Sequence, residues 1–162
     1  MLSWQLVNYT SNTISLSTKI KNLENYISKY PSAIIAYSGG IDSSLVAYIC
    51  NKVLGKNKSL VVIAVSPSLN KKEYEKALNL AQKYDWNFKP IFTEEFNNDN
   101  YLKNDLNRCF YCKFELYEKL EEILIKENFS VVFNGTNFDD LSDIRPGIDA
   151  AKKKNIVSPL VK

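Results

Sequence analysis

Residues 33–37, Ala33-Ile34-Ile35-Ala36-Tyr37, run apolar without alternation and stop abruptly at Ser38-Gly39-Gly40. A strand with one wet face alternates polar and apolar residues, so an unbroken run must be covered on both faces. That is the habit of strands in a parallel sheet held between layers of helices. The flanking segments agree. Over residues 13–30, apolar side chains at Ile14, Leu16, Ile20, Leu23, Tyr26, Ile27 and Tyr30 keep helical spacing until Pro31 ends the pattern. After the glycines, Leu45, Val46, Tyr48, Ile49 and Val53 predict a second helix closed near Gly55.

The same alternation continues along the chain. A second buried strand is expected over 60–65, a helix over 71–84 carrying Tyr74, Ala77, Leu78 and Ala81 on one face, and a third strand over 87–92. A long polar loop, 93–107, precedes a helix over 109–128 and a fourth strand over 130–133. A second polar loop, 135–146, leads to a short helix over 147–154 and a fifth strand starting at Ile156-Val157. The order predicts an α/β fold, a doubly wound, Rossmann-like parallel sheet of five strands. Residues 1–12 read as an irregular N-terminal segment and 13–162 as one domain. Because 156–161 reads like an entry to further structure, the chain is expected to be a fragment or a shortened member of a longer family.

The loop Ser38-Gly39-Gly40-Ile41-Asp42-Ser43-Ser44 lies between the first strand and its helix. Small residues there let backbone N–H groups approach phosphate oxygens, and the helix directs its positive end at the anion. Gly39 and Gly40 leave room for the ligand, and Ser38, Ser43 and Ser44 add hydroxyls. Asp42 would repel phosphate unless magnesium lies between them. It reads as a helix N-cap, a magnesium-associated carboxylate, or both. The loop is expected to bind ATP. A plain strand–turn–helix corner would use similar residues, but it would not need all of them together.

Cys109 and Cys112 form a C-x-x-C at the start of a helix, between Arg108 and Lys113. Such thiolates ligate soft metals or iron–sulfur clusters. Two cysteines do not complete a site, and Cys50 falls on an apolar helical stretch that reads as core. A pair of half-buried thiols is the plainer reading. In the loop after the fourth strand, Asp139, Asp140 and Asp143 can hold magnesium or polar substrate groups. Arg145 can pair with a phosphate or carboxylate, although a solvated acidic loop has the same composition. Loops at the carboxyl ends of parallel strands gather at one edge of the sheet, which would place this loop beside the first.

The first motif resembles the PP-loop of the ATP pyrophosphatase superfamily. That resemblance implies cleavage between the α- and β-phosphates, with the substrate adenylated and pyrophosphate released. Taken with Asn107-Arg108-Cys109-Phe110-Tyr111-Cys112-Lys113 and the segment from Gly135 to Gly147, the chain resembles the LarE family of ATP-dependent sulfur transferases over roughly residues 15–162. The resemblance implies adenylation of the carboxylate of a pyridinium nucleotide and then delivery of sulfur, in biosynthesis of a nickel-pincer cofactor. It implies ATP and Mg2+ on Ser38, Gly39, Gly40, Asp42, Ser43, Ser44, Asp139 and Asp143, with Asp42, Lys113 and Arg145 as catalytic residues. Some family members sacrifice a cysteine's sulfur. Others hold an iron–sulfur cluster on three cysteines, two of which match Cys109 and Cys112. A [4Fe-4S] cluster here would therefore need a further cysteine, which in the family lies in a segment later than residue 162, as does its C-terminal domain.

Composition narrows the alternatives. The chain has no histidine, which removes Ser-His-Asp and Cys-His triads and histidine-ligated metal from the options within it. A net charge of +3 is too small to argue for nucleic acid, so a tRNA thiolase or another PP-loop amidotransferase ranks behind a small-molecule carboxylate as substrate. A non-catalytic nucleotide-binding module is the third reading. No apolar stretch is long enough for a membrane, and three cysteines fit a reducing compartment, so a cytoplasmic protein is expected, with homo-oligomer formation open.

Overall fold

The unalternating run is a central strand. The computed structural model describes residues 15–66, 69–93, 108–142 and 146–162. In it β1 (Ala33–Tyr37) is buried along its whole length. β1 pairs in parallel with β2 (Ser59–Val65) on one side, Ile35 opposite Val61, and with β4 (Val132–Phe133) on the other, Ile35 opposite Phe133. β3 (Asn87–Phe92) lies outside β2, also parallel.

Alternate residues of the strands feed two cores. Ala33, Ile35, Tyr37, Val61, Ile63 and Phe133 face helices α1 (Leu16–Ile27), α2 (Ile41–Leu54) and α3 (Lys71–Lys83). Ile34, Ala36, Leu60, Val62 and Val132 face α4 (Arg108–Lys126) and α5 (Pro146–Lys153). The fold is therefore α/β with helices on both faces, as the sequence predicts, and each fully buried Ile or Val contributes about 1.5–3 kcal/mol. Cys50 sits fully buried in the first core, and burial pushes its thiol pKa up to about 12.

Local chemistry sets the helix ends. Ser15 caps α1 by accepting from the Thr18 N–H, and Asn70 caps α3 by accepting from the Lys72 N–H. Gly55, at φ +84°, ends α2.

The expected fifth strand is corrected: the sheet has four strands, in the order β3-β2-β1-β4. Val157 makes a single parallel bridge to Phe133, its N–H donating to the Val132 carbonyl and its carbonyl accepting from the Asn134 N–H. The ladder stops there because Pro159, with no N–H to give, opens a 3-10 turn (Pro159–Val161). The fourth strand is also shorter than residues 130–133, for pairing with β1 is confined to Val132 and Phe133.

Strand order positions the site. The chain steps outward from β1 through β2 to β3, then crosses back to lay β4 on the other side of β1. The connections leaving β1 and β4 thus diverge and open a crevice at the carboxyl ends of the two strands, the usual ligand position in such sheets. No helix among the described residues is long and apolar enough to cross a membrane.

Candidate functional site

Gly39 turns the chain out of β1 at φ +81°, and Gly40 is the N-cap of α2 with no side-chain capping bond. This corrects one option read from the sequence. Asp42 is not the N-cap; it sits in the first turn, where its charge favours the helix dipole. The first backbone bond of α2 runs from the Ser44 N–H to the Gly40 carbonyl. The amides of Ile41, Asp42 and Ser43 therefore precede the helical ladder and face the end of the helix as donors.

The serines shape this cradle from beneath. Ser43, 4% exposed, accepts from the Ser38 N–H at 3.2 Å and donates to the Gly40 carbonyl at 3.1 Å. The Ser38 hydroxyl lies 3.0 Å from that of Ser43. Ser44 donates to the same Gly40 carbonyl at 2.7 Å. Bonds from two hydroxyls to one carbonyl hold the loop in shape; the Ser38 and Gly40 N–H groups are spent on the Ser43 and Ser38 hydroxyls, which leaves the Ile41 and Asp42 amides ahead of the helical ladder as donors.

The loop after β4 closes on the start of α2. A methyl group on Gly135 would stand 2.6 Å from the Ser43 nitrogen and 2.8 Å from its Cα, so only glycine permits this backbone-to-backbone contact. Asn137 then donates from Nδ2 to Asp42 Oδ2 at 3.2 Å. It also exchanges bonds with Asp140: its N–H donates to Asp140 Oδ2 at 3.1 Å, and its Oδ1 accepts from the Asp140 N–H at 3.0 Å.

The result is an open cavity of about 380 Å³, with Ala36, Tyr117 and Asn134 among its lining residues. Its walls combine Ser38, Gly40, Asp42 and Ser43 with Gly135, Thr136 and Asp140. From α4 come Cys109, Lys113 and Tyr117, and from the start of α5 come Pro146, Gly147 and Ile148. Gly147 would meet the Lys113 stem at 3.2 Å if it carried a methyl group, so the lysine passes tightly over the first turn of α5. Two helix N-termini and Lys113 around one cavity favour an anion, and Asp42 and Asp140 on the same walls add carboxylates that a cation would bridge to it.

The structure thus brings together Ser38, Gly40, Asp42, Ser43, Lys113 and Cys109, drawn from distant parts of the sequence. Gly39 supplies the turn without lining the cavity. Ser44 lines a separate apolar groove with Ile41, Leu45 and Tyr48. Asp139 is exposed, and it does not line the cavity, whereas Asp140 does. Asp143 and Arg145 lie outside the described residues, as do residues 1–12 and most of the 93–107 loop. Sequence reasoning missed Tyr117, Asn134 and Gly135 as site-building residues. Tyr117 could have been found, since it follows Cys109 and Lys113 at four-residue steps on one helical face.

Magnesium suits this donor set. Asp42 offers a carboxylate, a hard oxygen ligand, at the edge of the anion cradle. An iron–sulfur cluster does not suit it. Cys109 is exposed and Cys112 half-buried on α4, while Cys50, the remaining cysteine of the chain, is buried in the core on the opposite side of the sheet. Among the described residues no three potential ligands gather into a metal group.

The family model for NAD synthase matches residues 15–105 of the chain. An uncharacterized protein of Synechocystis sp. is 43% identical over 145 residues, which cover 90% of this chain and 54% of that protein. The pyridinium-3,5-bisthiocarboxylic acid mononucleotide synthase of Lactiplantibacillus plantarum is 29% identical over 136 residues, covering 84% of this chain and 49% of the synthase. The chain therefore spans about half the length of these curated relatives. Among solved structures, NMN synthetase from Francisella tularensis superposes with a TM-score of 0.71 at 16% identity, over 92% of this chain and 66% of that one, a likeness of fold.

Proposed function

The chain belongs to the NAD synthase family, within the PP-loop superfamily, and from that premise we propose that its cavity binds ATP and adenylates the carboxylate of a small molecule. The observation that carries this reading is the seating of the Gly135 loop against the first turn of α2. It sets a second wall of the cavity directly beside the loop at the start of α2, and this supports a reaction between a nucleotide and an acceptor.

In this reading the triphosphate lies on the amides at the start of α2, with Ser38 and Ser43 keeping the loop in shape. A carboxylate oxygen of the acceptor attacks the α-phosphorus. The bond from that phosphorus to the bridging oxygen breaks, pyrophosphate leaves with the electron pair, and an acyl adenylate remains. Lys113 offsets charge developing on the phosphoryl oxygens, and Arg145 is proposed to do the same. Magnesium, when bound, would be held by Asp42 together with phosphate oxygens and water, and would neutralise phosphate charge that the carboxylate would otherwise repel.

The acceptor we propose is a pyridinium nucleotide carboxylate, followed by delivery of sulfur to the activated carboxyl group in biosynthesis of a nickel-pincer cofactor. The name of the Lactiplantibacillus relative, a synthase of a pyridinium bisthiocarboxylic acid mononucleotide, supports this. We place the reaction in the cytoplasm. Exchange of labelled pyrophosphate into ATP, measured against a series of carboxylates, tests the adenylation step. Exchange that depends on a pyridine carboxylate is expected. Absence of exchange with every acid would refute adenylation, and ATP binding without exchange would assign nucleotide binding alone.

A further inference from the structure

We propose that the Tyr117 hydroxyl is a hydrogen-bond donor to an oxyanion of the bound ligand, its polarity imposed by Asn134. The inference rests on the reading of the cavity as an anion site and extends it to a residue with no assigned role.

The argument is one of hydrogen-bond direction. Asn134 is 5% exposed at the carboxyl end of β4. Its Oδ1 accepts from the Thr136 N–H at 3.2 Å and from the Ser158 hydroxyl at 2.7 Å. A backbone N–H can only donate, so the atom facing Thr136 must be the amide oxygen, and the orientation of the side chain is settled. The amide nitrogen consequently faces Tyr117 and donates to its hydroxyl at 3.3 Å. A phenol that accepts from an amide N–H cannot spend its own proton on that same group. Among the described residues no other partner of the Tyr117 hydroxyl is found, yet Tyr117 is 3% exposed and lines the cavity. A buried donor without an acceptor is costly, by about 1–3 kcal/mol, and the cavity is where an acceptor can enter.

The neighbourhood selects what that acceptor is. Lys113 stands one helical turn before Tyr117 and lines the same cavity, and the leading amides of α2 face it from β1. The Asp42 and Asp140 carboxylates on the same walls already accept from Asn137, and the lysine and the leading amides are donors, so the group that complements them is an oxygen carrying negative charge. A phosphate of the nucleotide and the carboxylate of the acceptor both have this chemistry.

The test is Tyr117→Phe in the full 162-residue chain, which keeps the ring and removes the donor. Pyrophosphate, AMP, nicotinate and adenosine are titrated calorimetrically against wild type and variant. Binding of at least one anion should weaken about tenfold, equivalent to about 1.4 kcal/mol, while adenosine is unchanged. The anion affected identifies the source: pyrophosphate for the leaving phosphates, AMP for the α-phosphate, nicotinate for the acceptor. Equal loss for adenosine would make the role structural and overturn the proposal, as would unchanged affinity for all three anions. A wild type that binds none of them would overturn both this proposal and the parent reading. Because the variant leaves the Asn134 amide without its acceptor, folding is checked independently in wild type. With ring-carbon-labelled tyrosine, the Tyr117 Cζ resonance should move on adding the anion and stay still with adenosine; no movement with any anion would also overturn the assignment.

Discussion

Replacing Gly135 by alanine should damage both the fold and the site, and the size of the effect follows from the backbone. The new methyl carbon would lie 2.6 Å from the Ser43 nitrogen, 2.8 Å from its Cα and 3.0 Å from the Asp42 carbonyl carbon. Every one of these is a main-chain atom, so no side chain can swing aside. Ordinary contact begins near 3.5 Å, so the loop and the first turn of α2 must part by about 1 Å. Overpacking of this kind costs about 1–3 kcal/mol, and the absence of any flexible neighbour argues for the upper half. In a domain of this size about 2–3 kcal/mol lowers Tm by roughly 4–12 °C. The same displacement separates the loop at the start of α2 from the loop after β4, and in the proposed reaction a misplacement of about 1 Å can reduce turnover on the order of 100-fold. Circular dichroism melting and pyrophosphate exchange measure the two effects. Gly40→Ala is the comparison: its methyl group would meet only the Ser38 hydroxyl, at 3.5 Å, and the residue has φ −76°. That change should cost no more than about 1 kcal/mol of stability, the scale of an N-cap substitution. If Gly135→Ala melts within 2 °C of wild type, at roughly the same exchange rate, then the contact does not hold the site together.

Two further outcomes are expected. Asp42→Ala should abolish pyrophosphate exchange while reducing stability by no more than about 1 kcal/mol, since Asp42 contributes one bond from Asn137 and a first-turn charge; exchange near the wild-type rate would remove Asp42 from the mechanism. Burial raises the Cys50 pKa from 9.0 to about 12, so above pH 9 the unfolded chain loses this proton while the folded chain keeps it. Stability from this thiol is therefore complete below pH 9 and falls as pH rises toward 12, with a slope of up to about 1.4 kcal/mol per pH unit. Urea denaturation between pH 8.5 and 10.5 should show this dependence in wild type and a shallower one in Cys50→Ala (roughly 1 kcal/mol per pH unit less); parallel slopes would contradict burial as the cause.

Short-range chemistry was readable along the chain wherever one residue's neighbours decided its state. The unalternating run 33–37 had to be a covered strand, Gly55 had to end α2, and the glycines after β1 had to turn the chain, whereas α1 stops at Ile27 with Ser28 as its C-cap, ahead of the expected end at Pro31. Periodicity also carried the sheet covered by helices on both faces, because side chains in a strand alternate and those on a helix recur every three to four residues. The number of strands was not readable, since Ile156-Val157 has the composition of a strand and fails to extend only because Pro159 follows where a donor is needed. The same holds for the details of the site. Nothing local to Asn134 says that its amide will be read at once by Thr136, Ser158 and Tyr117, and nothing local to Gly135 says that Ser43 will arrive 2.6 Å from its missing methyl group. Apart from the Thr136 bond, two residues along, those relations join residues far apart in the chain. They come into being only when the crossover to β4 sets two loop ends side by side, where the direction of each hydrogen bond depends on all of its neighbours together.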